Sequence, residues 1–378
     1  MKLEGELVVH LSWDGHAVHD VRIRSTRALD VPRMFVGKCR DDVAATVPLL
    51  FSLCARAQAA ASEAAMDAAR GARRSDQQAR VAAARVALEA IGEHVRSLLL
   101  DWPRAMGRPP EIPALAAIRR LIESLDDALT AHGGARDSAT LAEDLAVLAS
   151  QSVFGMPAGD WLQLDDIEAL RAWMAERRVG VAEWLDGLLA EHATLGASDV
   201  AAMPSITDDI LADSLAPAML RDGFQRMPSW GGEPVETGAL ARTQHASLVR
   251  DLQRRWGNGV ATRMVARLVE LAMLLEQLAA GSPSPTAVRT CGCDAGAATA
   301  AVQTARGLLL HRARIEHDRV TDYRIVAPTE WNFHPDGALV RGLRDRRFAG
   351  DQAMRTAATL AIQALDPCVA SRIEVIHA

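Results

Sequence analysis

The stretch Ala305-Arg306-Gly307-Leu308-Leu309-Leu310-His311-Arg312-Ala313-Arg314-Ile315-Glu316-His317-Asp318-Arg319-Val320-Thr321-Asp322-Tyr323-Arg324-Ile325-Val326-Ala327-Pro328-Thr329-Glu330-Trp331-Asn332 decides the fold class. From Gly307 to Ala327 apolar residues alternate around a turn near Glu316 to Arg319, the two-residue period of half-buried strands, so a β-hairpin is expected. A matching pattern lies at the other end of the chain. Leu7, Val9 and Leu11, then Val21 and Ile23, alternate on either side of Asp14-Gly15, a pair suited to a tight turn.

Between these hairpins the period changes to that of helices. After Pro48 a helix is expected from Leu49 to about Arg70, with Cys54 in its first turns. A second runs from about Ser75 until Trp102-Pro103 stops it, and Arg108 to Pro113 is a loop. Further helices are expected at 114–132, 138–151, 165–177, 181–195 and 243–280, around an irregular Met203 to Glu236 stretch, and the Gly281-Ser-Pro-Ser-Pro285 run closes them. A last helix is expected over Asp351 to Leu365. Residues 49–280 thus read as mostly helical. With hairpins at both ends, residues 1–378 read as one α+β, mainly helical domain whose core is discontinuous in sequence.

Composition agrees with this. The 378 residues are 49% hydrophobic and only 4% aromatic, with long Ala-rich stretches that suit closely packed helices. The formal net charge of −6 provides no basic field for nucleic acid. No apolar run approaches the roughly 20 residues of a membrane span, and the first residues lack a basic segment leading into an apolar core, so a cytoplasmic protein is expected. Cys39, Cys54, Cys291, Cys293 and Cys368 are odd in number and are expected to be reduced.

The motif Ala305-Arg306-Gly307, the hairpin, and Pro328-Thr329-Glu330-Trp331-Asn332 together resemble the large subunit of nickel-iron hydrogenases. So do Leu3-Glu4-Gly5, Arg33-Met34-Phe35, Gly238-Ala239-Leu240-Ala241-Arg242 and Asp366-Pro367-Cys368, in the family's order along nearly the whole chain. The resemblance implies a single hydrogenase-large-subunit-like domain in which both ends of the chain build one metal site. It also exposes departures. Of the four thiolates that hold nickel and iron in that family, Cys54 and Cys368 match, whereas Phe51 and Ser371 stand at the other two positions. Gln58 replaces a histidine, and Val36 a glutamate. Nickel(II) in such a site demands several thiolates, so no nickel and no hydrogen turnover are expected.

This crippled pattern is similar to the accessory branch of the family, the HupK/HoxV type. The resemblance implies a non-enzymatic scaffold that receives the Fe(CN)2(CO) unit and passes it to the apo large subunit of a nickel-iron hydrogenase. Its partners would be that subunit, the iron-cyanide assembly complex and the complex's small chaperone. Cys54 and Cys368 would be the iron thiolates, and Arg306 would offset the charge and donate to cyanide nitrogen. The chain ends at Ala378, ten residues after Cys368, and so would need no tail-removing protease. Glu4 corresponds to a magnesium ligand of the enzymes, with Glu374 at the position of the second ligand and His377 three residues further; a surface salt bridge is the plainer role for Glu4. Cys291-Gly292-Cys293 matches no family motif and lacks the usual Cys-x-x-Cys spacing, leaving a flexible-loop or transient relay role open. Cys39 matches no ligand position. Two rival readings stand beside the scaffold: a degenerate subunit with residual redox chemistry, and a metal-free decoy for hydrogenase chaperones.

Overall fold

The computed structural model describes residues 5–130, 135–282 and 287–377. Glu4 and most of the Gly281–Pro285 run therefore lie outside the described residues. At the N-terminal turn the Asp14 carboxylate accepts from the backbone N–H of His16 at 2.8 Å and of Ala17 at 2.7 Å, which folds β1 (Glu6–Trp13) back onto β2 (Val18–Ser25). Leu7, Val9, Leu11, Trp13, Val18 and Val21 enter the core.

The helix expected from Leu49 to Arg70 is two helices. Helix α1 (Arg40–Leu50) ends at Phe51, a single turn covers Ser52–Cys54, and α2 (Ala55–Ala69) departs at 99°. Cys54 is thus the non-helical cap residue of α2, with φ −137° and ψ 42°, rather than a residue of its first turns. Helix α3 (Asp76–Arg96) starts with a reciprocal cap between Ser75 and Gln78. Pro103 does not stop it in the expected way. A π-turn over Ser97–Asp101 carries the chain into a short helix, Trp102–Ala105, where proline occupies an early position that needs no intrahelical N–H bond.

Helices α4 (Ile112–Thr130) and α5 (Ala135–Val153) pair with each other. The long helix expected over 243–280 is divided: Ser247–Trp256 ends at Gly257, whose φ is +70°, and α6 follows (Val260–Ala279). Helix α6 is buried along most of its length and packs on α3 and α5; its polar residues Arg263, Arg267 and Glu270 face inward and are paired.

The C-terminal hairpin is half of a larger sheet. Strands β3 (Val288–Asp294), β4 (Ala297–Thr304), β5 (Gly307–Glu316) and β6 (Arg319–Val326) pair antiparallel in sequence order, with His317 and Asp318 both at positive φ in the last turn. The first two strands escape a sequence reading because Ala297–Ala301 suits a helix by composition. Alanine serves here because α2 lies flat on the sheet: Ala57, Ala60, Ala61 and Ala64 meet Ala298 and Ala300 in one buried cluster.

Helix α7 (Asp351–Leu365) matches its expected range, and β7 (Ala370–His377) follows. Strand β7 pairs parallel with β1 from Glu6↔Ala370 to Trp13↔His377. This pairing ties the two ends of the chain together. Among the described residues no single helix is long and apolar enough to cross a membrane. The architecture is α+β and mainly helical, as the sequence implies.

Candidate functional site

Two peptide segments from opposite ends of the sequence meet in one cleft. The bend between α1 and α2 supplies Phe51, Leu53 and Cys54; the short link between α7 and β7 supplies Cys368 and Val369. Arg27, just beyond β2, and Glu330, just beyond β6, complete the polar wall of a space of about 730 Å3, its open mouth included. All five cysteines are free thiols.

Each sulfur is held by a specific partner. Thr329 Oγ1 accepts from the Cys368 backbone N–H at 3.2 Å and lies 2.8 Å from Cys368 Sγ, so its own proton is available to the sulfur. Gln58 Nε2 donates to Cys54 Sγ at 3.6 Å. Gln58 is one helical turn after Cys54 and is itself buried, and its other end is fixed: its Oε1 lies 2.9 Å from His311 Nε2, while His311 Nδ1 lies 2.9 Å from the Tyr323 hydroxyl. A carbonyl oxygen can only accept, so His311 carries its proton on Nε2 and accepts from Tyr323. Burial holds His311 neutral, bringing its pKa down to about 3. Burial, then the negative charges of Cys368 and Glu89, push the Cys54 thiol up to about 12 against the pull of Arg306 and Gln58. Without a cation Cys54 is therefore a thiol, and an entering metal displaces its proton.

Two arginines act on the sulfurs. Arg27 lines the cleft and pairs with Glu330 at 2.5 Å. Although burial opposes its charge, Glu330 and the two cysteines hold it firmly protonated. Glu330 also accepts from the Ala327 N–H at 3.2 Å, so one carboxylate caps the Pro328–Asn332 helix and orients Arg27. Arg306 lies behind the cleft and lines an adjoining cavity with Gly238, Arg267 and Asp366. It binds Glu93 at 2.5 Å and stands 3.5 Å from Asp366, and its charge reaches Cys54 and Cys368. Burial would raise the Asp366 acid, but Arg306 and Arg267 together hold it below its ordinary range.

The motifs quoted from the sequence pack on one another here. Gly307, at φ +135°, brings its backbone so close to Thr237 that an added Cβ would sit 2.1 Å from Thr237 Oγ1; Gly238, at φ +107°, lies against the Arg306 carbonyl. Asn332 spans the contact, accepting from Thr237 N–H at 2.8 Å and donating to the Arg306 carbonyl at 2.9 Å. Arg306 thus owes its position to three separate motifs.

Cys54 and Cys368 are brought together, with Arg306 nearby but outside the cleft. Arg27, Glu330, Thr329 and His311 line or support the cleft and are given no site role by the sequence; the contacts that place them there, Arg27 to Glu330, Thr329 to Cys368 and His311 to Gln58, span long stretches of chain, and only Arg27 lies outside the quoted motifs and the stretch around them. Glu374, aligned with a magnesium ligand, pairs with His10 at 3.1 Å and with Arg372. Cys39 stands at the N-cap position of α1 without a side-chain capping bond, and it does not line the cleft. Cys291 and Cys293 lie on strand β3, not on a loop. Among the described residues no group of three or more His, Cys, Asp and Glu side chains is clustered to hold a metal ion.

The architecture is that of the nickel-iron hydrogenase large subunit. A chain of the Ni-Fe-Se hydrogenase from D. vulgaris Hildenborough superposes with a TM-score of 0.62 at 14% identity, covering 93% of each chain. A chain of the enzyme from Desulfomicrobium baculatum superposes at 0.59 with 14% identity and 95% of each chain covered. Residues 220–373 match the nickel-dependent hydrogenase family model. Full-length similarity is more specific. The hydrogenase expression/formation protein HupV of Azotobacter chroococcum mcd 1 is 31% identical, covering 100% of both chains. HupK of Rhizobium leguminosarum bv. viciae is 32% identical over 94% of this chain and 92% of its own. HoxV of Cupriavidus necator is 28% identical over 90% and 89%. The chain belongs to this family of hydrogenase expression/formation proteins.

Proposed function

We propose that the protein is a non-catalytic scaffold of hydrogenase assembly whose cargo is the Fe(CN)2(CO) unit. The observation that carries this reading is the convergence of Cys54 and Cys368, from opposite ends of the chain, on one cleft walled by Arg27 and backed by Arg306. Iron(II) bearing two cyanides and two thiolates is a dianion, and two buried guanidiniums of fixed position offset that charge. Arg27 is the donor that faces the cleft. Arg306, committed to Glu93 and Asp366, acts chiefly through its charge.

Two thiolates are fewer than a permanent nickel-iron centre needs, and fewer bonds favour exchange. In the transfer step each Fe–S bond to Cys54 or Cys368 is replaced by one to a thiolate of the receiving apo large subunit, and the released sulfurs regain protons. Iron keeps its oxidation state and its diatomic ligands. The exposed Leu53 at the cleft and Leu49 beside it give the mouth an apolar rim that suits docking of a protein partner.

The test is a transfer assay. Protein loaded with isotopically labelled iron by the maturation machinery is mixed with apo large subunit, and the label is followed through separation of the two chains. Transfer from the parent, and none from protein carrying Cys54→Ala or Cys368→Ala, supports the scaffold. Label that stays with the parent, or equal transfer from the variants, refutes it. Hydrogen turnover by the purified parent would favour a degenerate enzyme instead.

A further inference from the structure

A second pair of thiols lies away from the cleft, on one edge strand of the four-stranded sheet. Cys291 and Cys293 alternate with Thr290, Gly292 and Asp294 along β3 and both point to its half-buried side. The pairing with β4 slips between Gly292 and Asp294, leaving Cys293 without a partner residue at a bulge. In a regular strand residues two apart are separated by about 6.6 Å, near the upper limit for a disulfide of about 6.8 Å; a bulge bends the strand and brings them closer.

The charge behind the pair is unusual. Arg312 on β5 is in register with Thr299 of β4, and Thr299 with Cys291, so the three side chains form a row across the sheet. Arg312 is only 2% exposed, and its Nε and Nη1 have no hydrogen-bond partner. Its nearest carboxylate, Asp294, is 3.9 Å away and largely exposed. A buried guanidinium without a bonded anion is costly, and the group it faces is the thiol pair. Cys293 Sγ also lies 3.4 Å from Thr299 Oγ1. Cys293 Sγ lies 3.8 Å from the Cys291 carbonyl, and hydrogen bonding from the Cys291 thiol, then Thr299 and Arg312, outweigh burial and bring Cys293 down to about 6, while that hydrogen bonding and burial push Cys291 up.

We propose that Cys291 and Cys293, with Arg312 as fixed counter-charge, form a reactive dithiol that exchanges with small disulfides. The unequal pair divides the labour. The Cys293 thiolate attacks one sulfur of the disulfide, forming a mixed disulfide and expelling one thiolate. Cys291, giving up its proton to that thiolate, then attacks the Cys293 sulfur and expels the second. Two cysteines are oxidised to one disulfide, and the small disulfide is reduced to one thiol, which holds the Cys291 proton, and one thiolate, which takes its proton from water. A divalent cation is the poorer ligand for this place, because Arg312 already supplies a positive charge that has no other bonded partner.

The test uses full-length protein and oxidised glutathione at neutral pH, with tryptic peptides read by mass. The peptide from Thr290 to Arg306 carries both cysteines and no other. It is expected to become two hydrogens lighter in the parent, and in Cys291→Ser to accumulate a glutathione adduct at Cys293. Alkylation of Cys293 by iodoacetamide is expected to outpace that of Cys39 at least tenfold, to lose that lead in Arg312→Met and to regain much of it in Arg312→Lys. Near-ultraviolet circular dichroism verifies that each variant is folded, and the Cys291→Ser adduct tests the pair even if Arg312→Met is not. Equal alkylation of Cys293 and Cys39 in the parent, an adduct on Cys291 first, or one equivalent of zinc held by the pair overturns the proposal.

Discussion

The Thr329 hydroxyl accepts from the Cys368 N–H and lies 2.8 Å from the Cys368 sulfur, so one side chain sets both the backbone and the thiol of the C-terminal arm. Thr329→Val keeps the shape and removes both contacts, leaving a backbone donor less well satisfied at a half-buried site. Thermal unfolding is expected to report a loss of about 1–3 kcal/mol, and iron retention to fall with it. Thr329→Ser is expected to restore retention, because it restores the oxygen.

Arg27 and Glu330 are nearly buried and bonded to each other. Removing one partner of such a pair costs about 3–5 kcal/mol, so Arg27→Met is expected to destabilise strongly. The double change Arg27→Met with Glu330→Gln is expected to recover most of that stability but not the retention of cargo. Unfolding in urea with parallel iron analysis separates the two effects. Recovery of both together would show that Arg27 serves structure alone.

The chain from Cys54 through Gln58 and His311 to Tyr323 predicts graded effects. Tyr323→Phe removes one hydrogen bond and is expected to cost about 1 kcal/mol. His311→Leu frees Gln58 to turn its amide, taking the donor away from Cys54. It is expected to cost more than Tyr323→Phe and to lower iron retention, whereas Tyr323→Phe is expected to retain iron. Equilibrium unfolding and iron content check both.

Glu89 accepts from the N–H groups of Arg56 at 2.7 Å and Ala57 at 3.2 Å, at the start of α2. Burial nevertheless raises its pKa from 4.5 to about 7. A carboxyl whose folded pKa is raised contributes stability that is complete below its unfolded pKa and is lost as pH climbs through the folded one. Stability of the parent is therefore expected to decline relative to Glu89→Gln between about pH 4.5 and pH 7. Melting temperatures of the two proteins over that range check the sign; a parent that gains on the variant as pH rises would contradict it.

Much of the fold and of the site is legible in the sequence. Both hairpins and helix α7 follow from alternation and turn residues, and the quoted motifs locate Cys54, Cys368 and Arg306. Strand β7 is hard to read from sequence because the alternation Arg372-Ile373-Glu374-Val375 is short, and because its parallel partner, β1, lies at the other end of the chain. Strand β4 escapes a sequence reading because its alanines suit a helix, and the reason for alanine there is α2 lying on the sheet. Arg27 carries no motif of its own; only the fold brings it to two cysteines and a glutamate so distant in sequence. The break at Phe51–Cys54 shares this cause, since the helix turns there to present Cys54 to the C-terminal arm.

In the proposed scaffold Cys54 and Cys368 together hold an iron carrying cyanide and carbon monoxide. Infrared spectra of protein isolated from cells containing the maturation machinery test it most directly, recorded for the parent beside Cys54→Ala and Cys368→Ala. Cyanide and carbonyl stretching bands are expected in the parent and are expected to be lost in either variant. A parent without such bands, or variants whose spectra match the parent's, would contradict it.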